Sequence, residues 1–280
     1  MKRVFVFCAG TTFALLCYAT YQGLLVAPRE DTMGEAQRIF YYHVPAATAA
    51  YSLFFVNFVA SIAFLWRRTS AADAWAKASA EVGVVFATAT LALGMIWARY
   101  AWGTWWAWDM RLTTFLILWL LYVSYGVLRR SADSASTSVL SAALAILAFM
   151  DVPLNYMANR WFRTNHPQPV TLEDPRMKFA LMTCMVAFLA FAAMVVWFRF
   201  RLERIAQRIT NEHVKKLAHG AFAISVLPMA LFFQQSAQFE IHRQRVFMYA
   251  GYITAWIIYL AYLLVLTLRL ARLRKEESEL

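Results

Sequence analysis

The chain has 280 residues, of which 61% are hydrophobic and 15% charged, with a formal net charge of +11. A soluble domain of this size could not cover so much apolar surface, which excludes an ordinary water-soluble enzyme or binding module. The positive charge calls for no nucleic acid, because a membrane protein collects lysine and arginine on its inner side and beside anionic lipid.

Apolar runs long enough to cross about 30 Å of hydrocarbon recur along the chain. They cover residues 4–26, 44–65, 82–98, 112–128, 139–156, 179–198, 217–233 and 246–268. The first follows Lys2 and Arg3; its length and the poor cleavage sequence "LLVAPRE" make it an anchor rather than a signal peptide. The seventh is short, holds Pro228 and runs into Gln234 and Gln235. The expected fold is an all-α integral membrane protein of eight spans. With the N-terminus inside, most of the 27 Lys and Arg residues fall on the inner side, Arg67, Arg68, Arg129, Arg130 and Arg199 among them. Both termini are therefore expected to be cytoplasmic. Cys8, Cys17 and Cys184 lie within apolar runs without a CxxC, and read as small buried hydrophobes.

This order of spans puts residues 27–43, 99–111, 157–178 and 234–245 outside. His43, in "FYYHVPAA", falls just before the second span, with Pro45 as an early helical residue. A helix N-terminus there keeps imidazole neutral, the form that binds metal. Upstream, Met33, Ala36, Phe40 and His43 share one face at helical spacing, and Asp31, Glu35 and Arg38 another. That pattern predicts a short helix lying on the outer surface. The next outer loop, "WGTWWAWDMR", holds Trp102, Trp105, Trp106 and Trp108, followed by Asp109 and Arg111. An aromatic belt places one or two such rings at a span end; four in seven residues exceed it. As a helix, Trp102, Trp105 and Trp106 share a face; as extended chain, Trp102, Trp106 and Trp108 do.

Asp151, in "MDVPLN", is the main polar interruption of a span and reads as a partner for backbone freed near Pro153. The third outer loop, "NRWFRTNHPQP", holds His166 beside Arg160, Trp161 and Arg163. His213 and His219 fall in a basic inner stretch, and His242 in the last outer loop. Either His43 or His166 alone reads as an interfacial residue bonded to backbone or water. Together, a flat aromatic platform, two neutral imidazoles and nearby arginines suit haem: iron accepts histidine axially, and propionates pair with arginine. A quinone would suit the platform and need only one polar partner at each carbonyl.

The loop "WGTWWAWDMRLT" resembles the tryptophan-rich "WWD" signature of haem-handling proteins. "RIFYYHVPAA" and "VPLNYMANRWFRTNHP" point, within that superfamily, to the CcmC family of system I cytochrome c maturation. The resemblance covers about residues 1–200. It implies a six-span bundle that holds haem b at the outer face of the bacterial inner membrane, with His43 and His166 as axial ligands. It further implies that residues 102–111 contribute to the pocket, that Trp161 and Arg163 flank the second ligand, and that haem passes to the chaperone CcmE with the help of CcmA and CcmB. Trp161–Phe162 stands where the family carries two tryptophans. No G-x-x-x-x-G-K-[ST] occurs, and the resemblance implies a relay that makes no bond of its own.

The chain extends beyond the six expected spans. Its end, "GYITAWIIYLAYL" with a basic tail, resembles CcmD, a single-span partner of that family. The expected organisation is a haem-handling domain at 1–200, a basic cytoplasmic connector at 201–220, and an added two-span segment at 221–280 whose last span is CcmD-like. Two other functions fit the composition. A b-type electron-transfer subunit would place haem ligands within its spans. A transporter with an aromatic gate would carry polar groups at mid-membrane.

Overall fold

The computed structural model describes residues 2–131, 135–167, 172, 174–208 and 244–278. Helices account for the secondary structure of these residues apart from an isolated bridge between Glu30 and Gly34. We number them α1 (Lys2–Tyr21), α2 (Phe40–Arg67), α3 (Ser70–Trp102), α4 (Met110–Ser131), α5 (Ala135–Phe149), α6 (Asp151–Trp161), α7 (Pro175–Arg208) and α8 (Gln244–Ser278). Seven segments are long and apolar enough to cross a membrane, with α5 and α6 together forming one. They match seven of the eight expected runs. The other run, 217–233, lies outside the described residues, as do His213, His219 and His242. The first residues of the expected connector continue α7 as helix to Arg208.

Helix α3 is the axis of the bundle and is almost wholly buried. Its alanines and glycines let neighbouring backbones approach closely. At Gly83 a Cβ would stand 2.5 Å from Phe54, whose ring stacks on Tyr122 at 3.7 Å. Thr69 caps the start of α3, its Oγ1 accepting from the Ala72 N–H. Gly103, at φ +70°, ends the helix in the left-handed conformation that glycine adopts without strain.

Helix α8 lies against α3, α7 and the turn before α2. Its inward stripe includes Tyr252, Ala255, Tyr259, Tyr262, Leu266 and Arg269, all buried at helical spacing. Tyr252 donates to the Arg38 carbonyl at 2.9 Å, and Trp256 donates to the Tyr42 hydroxyl at 3.1 Å. The added C-terminal span therefore packs on the elements that carry the first histidine.

The segment before α2 differs from its expected form. It is a 3-10 turn, Glu35–Ile39, leading directly into α2, so His43 lies inside the helix and not ahead of it. Arg38, expected on an outward polar face, is buried. Its guanidinium donates to the Gly23 and Ala27 carbonyls at 3.0 and 2.7 Å and to Glu35 at 2.6 Å. Those carbonyls are orphaned where the first span ends, and a buried cation that satisfies them outweighs the local polar pattern.

The fifth span is broken at Met150, between α5 and α6. Pro153 has no N–H to return to the Phe149 carbonyl, which favours a break there. Asp151 does not serve the freed backbone: its Oδ2 is buried and has no hydrogen-bond partner. Of the cysteines, only Cys184 is buried; Cys8 and Cys17 face outward from the bundle, where lipid accepts a thiol as readily as a core would.

Candidate functional site

At one end of the bundle α2, the loop after α3, α6 and the loop after α6 converge. The imidazoles of His43 and His166, 123 residues apart in sequence, face each other there, with ring centroids 6.4 Å apart and planes inclined by 35°. Two metal–nitrogen bonds of about 2 Å plus the two half-rings would fill such a gap.

His43 projects from the first turn of α2 onto α3. A Cβ at Gly94 would stand 3.1 Å from its Cε1, so this glycine makes room for the ring. The His43 Nδ1 is buried and has no hydrogen-bond partner. An orphaned lone pair or proton in that position is costly unless something else takes it.

His166 is held more explicitly. Its Nδ1 lies 3.0 Å from the Pro167 carbonyl and 3.3 Å from the Asn159 amide nitrogen; the carbonyl can only accept, so the tautomer protonated at Nδ1 pairs with it and keeps the Nε2 lone pair. The Asn159 amide donates to the same carbonyl at 3.2 Å, and Thr164 Oγ1 donates to Asn159 Oδ1 at 3.1 Å. A hydrogen bond to one ring nitrogen is what sets which nitrogen is free to ligate. Burial pushes this imidazole below its ordinary pKa, and the nearby Arg111 charge adds to the effect.

Asp109 and Arg111 assemble the site. One Asp109 oxygen accepts from the Leu112 N–H at 2.9 Å and caps α4; the other accepts from the Asn165 N–H at 3.1 Å. The tryptophan loop is thereby tied to the second-histidine loop. Arg111 Nη1 donates to the Asn155 and Tyr156 carbonyls at 2.9 and 3.2 Å. Asn155 returns a bond to the Arg111 carbonyl at 2.8 Å, reaches Thr114 Oγ1 at 2.6 Å, and accepts from Tyr51 on α2. One guanidinium nitrogen of Arg111 is thus committed to backbone, while its charge lies close enough to both histidines to act on them.

The tryptophans take neither of the two simple arrangements. Trp102 ends α3 as a helical residue, edge-on to Trp97 at 5.2 Å. Trp105 and Trp106 follow the Gly103 turn and pack, half-buried, against the core. Trp106 meets Trp108 edge-on at 5.9 Å, and Trp108 is 76% exposed. Trp161 is 62% exposed and Arg163 is exposed. Among the described contacts neither touches a histidine. The site has a half-buried centre, His43 and His166, and an exposed aromatic rim, Trp108 and Trp161. Asn155, Asn159, Thr164 and Gly94 were not singled out by the sequence; a lone amide or glycine carries no spacing that marks it.

The family model described as "Heme exporter protein C" matches residues 1–217. A protein of that name from Bradyrhizobium diazoefficiens is 31% identical over 229 residues, covering 79% of this chain and 86% of that one. The heme exporter protein C of Escherichia coli K12 is 32% identical over 183 residues, covering 64% and 75%. A mitochondrial protein of Marchantia polymorpha, described as ccmC-like and of cytochrome c biosynthesis, is 30% identical over 184 residues, covering 66% and 78%. The family match ends before α8 begins.

Proposed function

The chain belongs to the CcmC family, that of heme exporter protein C, and from that premise we propose that it is a haem relay of cytochrome c maturation. His43 and His166 are its two axial ligands. One observation carries the reading: two imidazoles from distant parts of the chain face each other with ring centroids 6.4 Å apart, one with an unpartnered buried nitrogen and the other held through Nδ1 beside the Pro167 carbonyl.

Those features fit a porphyrin iron, which would take one nitrogen from each ring. The chain's own residues do the rest. Asn159 and the Pro167 carbonyl hold His166 in position through its Nδ1. Asp109 and Arg111 fix the distance between the two loops. Trp105 and Trp106 give an apolar wall, with Trp102 at its edge, and Trp108, Trp161 and Arg163 form the rim from which haem b is handed on. The chain makes no bond of its own in this reading, and the exposed rim suits transfer over permanent retention.

The recipient is CcmE, with CcmA and CcmB completing the complex. The site then faces the periplasm from the bacterial inner membrane, and both termini are cytoplasmic. Residues 1–200 form the haem-handling domain, and α8 takes the place of a separate CcmD. Its packing on the turn before α2 supports that last assignment.

The test is an optical spectrum with pyridine-haemochrome quantification of the detergent-solubilised protein, beside His43→Ala and His166→Ala. A low-spin bis-histidine spectrum in the wild type, lost or turned high-spin in each variant, is expected. Full haem retention in both variants would remove the axial assignment. A wild type that neither carries nor takes up haem would remove the relay.

A further inference from the structure

The opposite end of the bundle, where α3 begins and α8 ends, holds a second polar centre. Arg199 on α7 is 4% exposed and bridges Glu81 and Glu203, each at 2.9 Å. Lys77 bridges Glu203 at 3.2 Å and Asp73 at 3.4 Å, and Asp73 also takes Arg129. Tyr262 on α8 donates to the remaining Glu81 oxygen at 3.0 Å. Every oxygen of these three carboxylates is therefore engaged.

Arg269 lies two turns beyond Tyr262 on the same inward stripe of α8. It is 8% exposed, and its Nη1 is buried without a hydrogen-bond partner. Among the described residues no carboxylate lies within ion-pair distance of it. Glu276 is two turns further on, about 10 Å along the axis, and its Oε2 is likewise without a partner. A guanidinium in that position is stable only with a counter-anion, because a buried charge left unpaired costs more than any packing around it returns. Among the described residues around Arg269 cations outnumber carboxylates, and the three carboxylates of the network are already engaged.

We propose that Arg269, at the junction of α8 with the α3–α7 ion-pair network, binds the phosphodiester of an anionic phospholipid. The location favours a lipid over a free anion. Arg269 stands between Leu266 and Leu273 on a membrane-crossing helix, at the end of the bundle rich in Arg and Lys, where headgroups meet the helices. A guanidinium offers a phosphate two parallel donors, which a single lysine would not. The bound lipid would complete the seam between the added helix and the rest of the bundle. This site is independent of the haem reading.

The experiment is native mass spectrometry of the full chain released from nanodiscs of phosphatidylcholine mixed with phosphatidylglycerol. The wild type is expected to retain phosphatidylglycerol selectively. Arg269→Gln should lower that retention about tenfold, the scale of one hydrogen bond to a charged group. Arg269→Lys should keep part of it, and Arg272→Gln, exposed on the same helix, all of it. Excess inorganic phosphate should not displace the lipid. Equal retention of the two lipids by the wild type, a reading that needs no variant, would overturn the proposal. So would unchanged retention in a folded Arg269→Gln or Arg269→Lys protein. Displacement by inorganic phosphate would replace the lipid with a free anion.

Discussion

At the end where α3 begins, Asp73, Glu81 and Glu203 have all their carboxylate oxygens engaged by Arg129, Lys77, Arg199 and Tyr262. At the other end His43 keeps a buried nitrogen without a partner, and His166 is held through its Nδ1 beside the Pro167 carbonyl and the Asn159 amide. Both ends join helices distant in sequence. One does so by satisfying its polar groups, the other by leaving a histidine nitrogen unpartnered and fixing the groups around it. A buried ion-pair network stabilises what is already closed. In the haem reading the proposed site is held open by partners that do not themselves fill it: the Pro167 carbonyl, the Asn159 amide and the missing side chain of Gly94.

Removing a member of the closed end should cost the most. Arg199→Leu leaves Glu81 and Glu203 buried and facing each other, and is expected to destabilise the protein by about 3–5 kcal/mol. Thermal unfolding in detergent would measure it. The surviving folded protein should take up haem with the wild-type spectrum, since the network lies at the far end of the bundle. A combined Glu81→Gln and Arg199→Leu change should recover part of the loss. A normal unfolding temperature in Arg199→Leu would mean the network is not closed in solution.

At the open end the corresponding loss should fall on the ligand and not on the fold. Asn159→Ala removes one of the two donors at the Pro167 carbonyl and the partner of Thr164. Haem retention is expected to fall about 10- to 100-fold, the usual effect of losing an outer partner of a ligating histidine. The unfolding temperature should change little. An altered fold with unaltered haem affinity would reverse the contrast between the two ends.

The sequence reveals these two ends to different degrees. The spans follow from apolar length alone, because lipid demands it, and seven of the eight runs coincide with observed helices. His43 and His166 stand out through their aromatic and basic neighbours. The pair Arg199 and Glu203 is four residues apart on one helix and legible as such; their meeting with Glu81 and Lys77 depends on how α3 and α7 pack, which no local pattern records. Arg38 misleads for the same reason: its charge reads as surface until the broken end of the first span supplies carbonyls for it to cap. The chain-order reading of residues 102–108 as one helix or one strand fails at Gly103, whose positive φ turns the chain between Trp102 and Trp105.

Gly94 gives the smallest and sharpest version of the comparison. A methyl group there changes no charge, no donor and no acceptor, and would come to 3.1 Å from His43 Cε1. That is tighter than an ordinary contact, so the ring has to yield by a few tenths of an ångström. In a packed core such a shift costs about 1 kcal/mol or a little more. At Gly83 the equivalent change meets Phe54 at 2.5 Å and should be read as lost stability, because the stacked Phe54 and Tyr122 cannot both stay in place. At Gly94 the side chain that must yield is the His43 ring, which faces His166 with centroids 6.4 Å apart, so the strain should appear in the ligand field instead. Gly94→Ala is expected to shift the haem spectrum or its midpoint potential while leaving the unfolding temperature close to that of the wild type. An unfolding temperature lowered as far as in Gly83→Ala, with an unchanged spectrum, would make His43 a packed core residue rather than a ligand held open.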